Sequence, residues 1–151
     1  MRNDTNAFAS NTASAASAAD AAHASTTFLR RALWADAIAT GATALLMVVG
    51  ADLLTGLLAL PAPLLRITGL SLLPYTAFVV WLATRPMPSR PVVWAVIVCN
   101  GLYAIDCVLI LATGWLAPSA LGIAFIVMQA IVVAAFAELQ YVGLRRVTCV
   151  A

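Results

Sequence analysis

Seven side chains with polar or charged ends fall within otherwise apolar sequence: Asp36, Arg66, Asn100, Tyr103, Asp106, Gln129 and Glu138. Inside a hydrocarbon layer such groups can pair with a counterion, hydrogen bond to a neighbouring helix, hold a solute or carry a proton. A charged group kept there costs about 2.5 to 3.5 kcal/mol on insertion scales, so each calls for a partner. Arg66 is the obvious counterion for Asp106 or for Asp52. An ion pair tying two helices together is the favoured reading, ahead of proton or ligand handling. Cys99, Tyr103 and Asp106 follow one another at spacings of four and three, which sets them on one helical face, with Asn100 and Cys107 on the adjacent one.

Glu138 lies about 9 Å along its helix from the arginine-bearing end. Its candidate neighbours are Asp36, Arg30, Arg31 and Arg90. Asp36, Thr40, Thr43 and Met47 line one face of the first apolar helix, and Ala37 with Gly41 gives it a small-residue surface for close packing. Gln129 and Gln140 are separated by about 20° around the fourth helix and stand nearly opposite Glu138. A helix polar on two faces predicts one face toward the bundle and the other toward a second subunit.

Signatures of catalysis are missing. No HExxH, GxSxG or phosphate-loop motif occurs, and the single histidine, His23, has no second ligand nearby. Neither an enzyme nor a metal or cofactor site is expected. Cys99 and Cys107 stand about 12 Å apart along one helix, beyond disulfide reach, and Cys149 falls near the other boundary. The three cysteines therefore read as small buried hydrophobes.

The elements that must carry these residues follow from composition. The 151 residues are 64% hydrophobic and only 9% charged, with a mean hydropathy of +1.01. Soluble domains carry roughly a quarter charged residues, and a chain this apolar cannot cover itself with polar surface. Four apolar stretches, at about residues 33–51, 67–83, 92–112 and 120–144, are each long enough to cross a bilayer. The fold class is all-α: a polytopic four-helix transmembrane bundle. Residues 1–30 form an Ala/Ser/Thr-rich segment that buries too little to order itself and reads as a disordered tail. Residues 147–151 are a short tail. The first stretch exceeds the apolar core of a signal peptide and carries Asp36, which argues for a span.

Between the first two spans a Leu-rich turn of helix, residues 53–60, is broken by Pro61 and Pro63 and predicts an interfacial or shielded segment. Pro74 predicts a kink in the second span, with Ser71 the nearest hydroxyl to the freed Leu70 carbonyl. Residues 85–91, Arg-Pro-Met-Pro-Ser-Arg-Pro, read as a rigid non-helical connector. Arg30, Arg31, Arg85, Arg90, Arg145 and Arg146 flank one end of the spans and only Arg66 the other. The positive-inside bias then predicts two cytoplasmic termini. Trp34, Trp81, Trp94, Trp115 and Tyr141 fall near the boundaries, as interfacial aromatics do. The positive charge is all arginine, spread along the chain and not gathered in a stripe, so nucleic acid is not expected as a partner.

Two segments repeat. Trp34-Ala35 and Gly41 match Trp94-Ala95 and Gly101, and Thr55-Gly56 through Pro61 matches Thr113-Gly114 through Pro118 with one residue deleted. Two tandem helical hairpins of the same orientation are implied.

The Leu-Leu-Thr-Gly-Leu-Leu-Ala-Leu-Pro segment after the first span, with Leu65-Arg66-Ile67-Thr68-Gly69 opening the second, resembles small four-helix membrane proteins of bacteria grouped as DoxX-like. The likeness is one of layout over residues 30–146. It implies a bacterial inner membrane and no catalytic residue. The expected function is that of a structural or accessory membrane subunit, forming a homodimer or part of a larger complex in the lipid bilayer. The alternative is a small proton-coupled carrier in which Asp106 and Glu138 titrate while Asn100, Tyr103 and Gln129 bind solute.

Overall fold

The computed structural model of the protein describes the backbone of residues 2–150 and the side chains of residues 14–147. The chain forms five helices: α1 (Arg2–Val49), α2 (Ala51–Leu58), α3 (Ala62–Thr84), α4 (Arg90–Thr113) and α5 (Ala120–Val150). Four stretches, Ser14–Val49, Ala62–Thr84, Arg90–Thr113 and Ala120–Val147, are long and apolar enough to cross a membrane. The architecture is thus an all-α bundle of four membrane-length helices.

Three of the four long helices, α1, α3 and α4, begin earlier than expected, and α5 begins at Ala120 as expected. Where a disordered tail is predicted, α1 runs without a break from Arg2. Alanine is the strongest helix former, and a segment continuous with an already folded span avoids the cost of nucleation. The packed part starts at Leu29, which is buried. Prolines that read as breakers serve as starters: Pro61 caps α3 in extended backbone and Pro63 stands in its first turn. Pro91 likewise sits in the first turn of α4, leaving residues 85–89 as the non-helical connector. A proline in that turn has no intrahelical hydrogen bond to lose. Helix α3 continues through Pro74, and Ser71 donates to the Thr68 carbonyl at 2.8 Å and not to that of Leu70.

Helix α1 packs against α3 and α5, and α5 packs against α4, whereas α3 and α4 approach each other only sparsely. The result is two helical hairpins, α1 with α3 and α4 with α5, joined chiefly along α1 and α5. Arg30 donates to the Ala83 carbonyl at 3.1 Å, and Arg146 lies over the Phe28 ring at 5.0 Å. These contacts gather the start of the packed region of α1 with the ends of α3 and α5. At this arginine-rich end, Leu29, Leu33, Val79, Leu82, Val93 and Leu144 form one apolar core. A second core at the opposite end joins Met47, Leu54, Leu58, Leu65 and Ile126.

Short helix α2 belongs to that second core, burying Ala51, Leu54 and Leu58 while Leu53 and Leu57 stay exposed. Its end is clamped by the other hairpin. The Ser119 amide donates to the Leu58 carbonyl at 2.9 Å, and its hydroxyl donates to the Leu57 carbonyl at 2.7 Å. The same hydroxyl accepts from the Gly122 amide at 3.1 Å, so Ser119 also caps α5.

Candidate functional site

Between the two apolar cores lies one polar layer, and Asp36 is at its centre. The position 36 side chain is fully buried on the face of α1 that also buries Leu29, Leu33 and Thr40. Its Oδ1 accepts from the Thr40 hydroxyl at 3.0 Å, one helical turn along. Its Oδ2 accepts from Gln140 Nε2 at 2.7 Å and from Asn100 Nδ2 at 2.9 Å. The Tyr75 hydroxyl lies 3.3 Å from Oδ2 and 2.9 Å from Asn100 Oδ1. Having a single proton to give, it favours the shorter contact. Asn100 Nδ2 is also 3.3 Å from Gln140 Oε1.

One carboxylate thereby draws groups from all four long helices, and every one of them is neutral. Helical register explains the convergence. Asn100 recurs with Val93, Val96 and Cys107 on the buried face of α4, Gln140 with Ile126 and Val133 on that of α5, and Tyr75 precedes Val79 and Leu82 on α3. Among the described residues no buried side-chain nitrogen or oxygen lacks a hydrogen-bond partner.

A cavity of about 180 Å³ adjoins this cluster, lined by Thr40, Thr43, Tyr75, Asn100, Tyr103 and Gln129 together with Leu72, Cys99 and Val133. A second hollow of about 250 Å³ shares Tyr103 and Gln129 with it and extends toward the far end, past Thr68, Asp106, Phe125 and Leu65. Both are lined by α1, α3, α4 and α5, including the facing sides of α3 and α4, which approach each other only sparsely. Gln129 Nε2 is 3.5 Å from the Thr43 hydroxyl, bridging α5 and α1 across the cavity wall.

The structure thus brings together Asn100, Tyr103, Asp106 and Gln129 along the hollows, with Asp36 behind them. Two expected residues lie elsewhere. Arg66 pairs with Asp52, its Nη2 donating at 2.8 Å to both carboxylate oxygens, and the pair is exposed. Among the described residues this is the one ion pair, so Arg66 does not tie α3 to α4 through Asp106. Asp52 at the start of α2 reaches Arg66 first, because the loop after α2 folds α3 back beside it. Glu138 points away from the bundle into a shallow outer groove of about 310 Å³ with Gly101, Ala104, Ala134, Ala137 and Tyr141. None of Arg30, Arg31 and Arg90 forms an ion pair with it among the described residues, Asp36 is enclosed on the opposite side of α5, and Arg30 serves the end of α3. Cys99 is exposed, contrary to its reading as a buried hydrophobe, whereas Cys107 is buried. Cys149 lies outside the residues whose side chains are described.

Comparison of the chain with protein-family models, curated proteins and solved structures gives no match. The site therefore has to speak through its own chemistry.

Sequence reasoning left Tyr75 and Gln140 out of the candidate set. The signal for Gln140 was present, since it falls seven residues after Val133 and fourteen after Ile126, on what proves to be the core stripe. For Tyr75 no comparable signal exists, because an aromatic beside a proline in an apolar span reads as packing.

Proposed function

We propose that this chain is a structural or accessory subunit of a bacterial inner membrane, with both termini cytoplasmic, that pairs with a second copy of itself through the outer face of α4 and α5. The observation that carries this reading is Glu138. It lies on the outside of the bundle, two helical turns or about 10 Å along α5 before Arg145. Side chains on a helix tilt toward its N-terminus, here away from Arg145, so the carboxylate is directed deeper into the hydrocarbon and not toward the interface. Left to lipid, it bears the cost of an intramembrane charge.

The surrounding groove suits another helix. Gly101, Ala104, Ala134 and Ala137 keep it shallow, and a methyl group placed on Gly101 would meet nothing within 4 Å. Small residues of this kind allow backbones to approach closely and dominate helix contacts in membranes. Tyr141 stands in the same groove one turn from Glu138, so a twofold-related copy supplies a phenol donor to each carboxylate. The arginines gathered at one end of the spans support cytoplasmic termini through the positive-inside bias.

The carrier reading has less support. Asp106 faces the hollow between α3 and α4, whereas Glu138 faces the groove outside α4 and α5, so the two acids open on different sides of the molecule. Disulfide crosslinking of an Ala134→Cys variant in native membranes tests the assembly. A dimer that disappears when Ala137→Trp fills the groove is expected; monomer alone in the parent variant overturns the reading.

A further inference from the structure

The pair of hollows between α3 and α4 has a consequence beyond assembly. They adjoin through Tyr103 and Gln129. Their walls are mostly apolar, from Leu72 and Val133 beside the Asp36 cluster to Leu65, Phe125 and Ile126 farther along. Asp106 is the single charged side chain on either wall among the described residues. No arginine or histidine joins it, and the nearest basic group in sequence on α3, Arg66, is engaged by Asp52. Behind Asn100 and Tyr75 stands a second carboxylate, Asp36, held by neutral donors alone.

An anionic guest would meet the exposed Asp106, with no basic side chain beside it, and Asp36 behind it, whereas a cation would meet Asp106 and the Tyr103 ring. Each hollow is smaller than the roughly 300 Å³ of a pocket that encloses a whole drug-sized ligand. The space fits a head group and the first part of a chain, with the remainder extending into lipid through the gap between α3 and α4.

We propose that this gap is a binding site for amine-bearing amphiphiles, which enter from the lipid between α3 and α4 and place the ammonium group against Asp106 and Tyr103 and the start of the chain among Leu65, Phe125 and Ile126. Gln129, together with the acceptor lone pairs that Asn100 and Thr40 still have, provides hydrogen-bonding capacity for a polar substituent on the head group. The site uses neither Glu138 nor the α4–α5 groove, so it stands or falls separately from self-association.

Cys99 supplies a reporter, since it is exposed and lines the first hollow. The full chain carrying Cys107→Ala and Cys149→Ser is placed in nanodiscs of uncharged phosphatidylcholine and treated with 2-aminoethyl or 2-sulfonatoethyl methanethiosulfonate. The cationic reagent is expected to modify Cys99 about tenfold faster than the anionic one, the factor that about 1.4 kcal/mol of preference gives. Dodecylammonium should slow the reaction saturably and raise the melting temperature, while dodecyl sulfate at the same concentration does neither. Asp106→Asn should abolish the protection and reduce the charge preference to what Asp36 alone maintains, and Glu138→Gln should leave both intact. Equal rates with the two reagents, equal protection by the sulfate, or an Asp106→Asn variant that behaves as the parent overturns the proposal. So does a Cys99 that neither reagent reaches combined with no saturable thermal shift from dodecylammonium.

Discussion

Gln140 Nε2 approaches Asp36 Oδ2 to 2.7 Å, so the last helix of the chain is hydrogen-bonded to the first in the middle of an apolar bundle. In water this contact would compete with solvent. In hydrocarbon the alternative for each group is an unpaired dipole or charge, although helices separated in lipid also find some partners. The Asp36 layer divides the two apolar cores, and it is where α4, only sparsely in contact with α3, is joined to it through Tyr75 and Asn100. Directional bonds at this level fix the rotation of each helix about its own axis, which apolar packing against lipid-like neighbours specifies poorly.

Removing the acceptor should therefore loosen the whole bundle. Asp36→Asn preserves shape but turns one acceptor into a donor, which must face either Thr40 or the Gln140 and Asn100 amides, all of which already donate. The expected loss is about 1 to 3 kcal/mol, the penalty of leaving buried partners unsatisfied. Asp36→Ala should cost more than Gln140→Ala, because it strands the Gln140 and Asn100 donors on two other helices together with Thr40 on its own. A double-mutant cycle between positions 36 and 140, followed by denaturant unfolding in mixed micelles, should return a coupling of about 0.6 to 1.7 kcal/mol. Additive single effects would show that the contact contributes nothing specific.

The Arg66–Asp52 ion pair makes the opposite expectation. Arg66 and Asp52 are exposed, with 50% and 80% of their side-chain surfaces open. Exposed pairs contribute about 0 to 1 kcal/mol, so Arg66→Gln and Asp52→Asn should each change stability by no more than that. Combining Arg66→Gln with Asp106→Asn should give purely additive effects in the same unfolding measurement. Strong coupling between positions 66 and 106 would restore the sequence-based pairing.

That pairing illustrates how far the sequence could be read. Hydrophobic length is a property of each segment alone, so four spans and an all-α bundle follow from it directly. Which acid meets which base depends on how each helix is rotated. In a soluble helix the apolar stripe reveals that rotation, but here lipid-facing Ile38, Val98 and Ile131 are as apolar as core-facing Leu33, Val96 and Val133. Asp36 and Asn100 were legible as costly polar groups, yet their meeting was not. A partial clue lay in the repeat. Thr40 and Asn100 occupy corresponding places six residues after Trp34 and Trp94, and both donate to Asp36. Gly41 and Gly101 correspond as well, but a methyl on Gly41 would meet Thr76 at 3.1 Å whereas Gly101 faces open space. Equivalent sequence positions thus carry different duties, one packing within the subunit and the other available to a neighbour.

Gly122 gives the most direct test of how the two hairpins are joined. A Cβ added there would run into the Leu58 carbonyl oxygen, and it would approach Pro118 Cβ to 2.8 Å. Neither obstacle can swing aside: one is backbone at the end of α2, held by the Ser119 amide, and the other belongs to a rigid ring. Gly122→Ala should therefore separate α5 from α2 at the level of Leu57 and Leu58 and cost about 1 to 3 kcal/mol, as overpacking does. The gain in helix propensity from alanine, at most about 1 kcal/mol, acts against this without cancelling it. Gly101→Ala, in the middle of α4 with open space around it, keeps that gain and should stabilise the monomer by up to about 1 kcal/mol. Because Ser119 caps α5 and α2 together, Ser119→Ala should reproduce part of the Gly122→Ala loss. Thermal unfolding of the three variants in detergent should rank them Gly122→Ala, Ser119→Ala, Gly101→Ala from most to least destabilised. A Gly122→Ala protein as stable as Gly101→Ala would mean that α2 does not dock on α5.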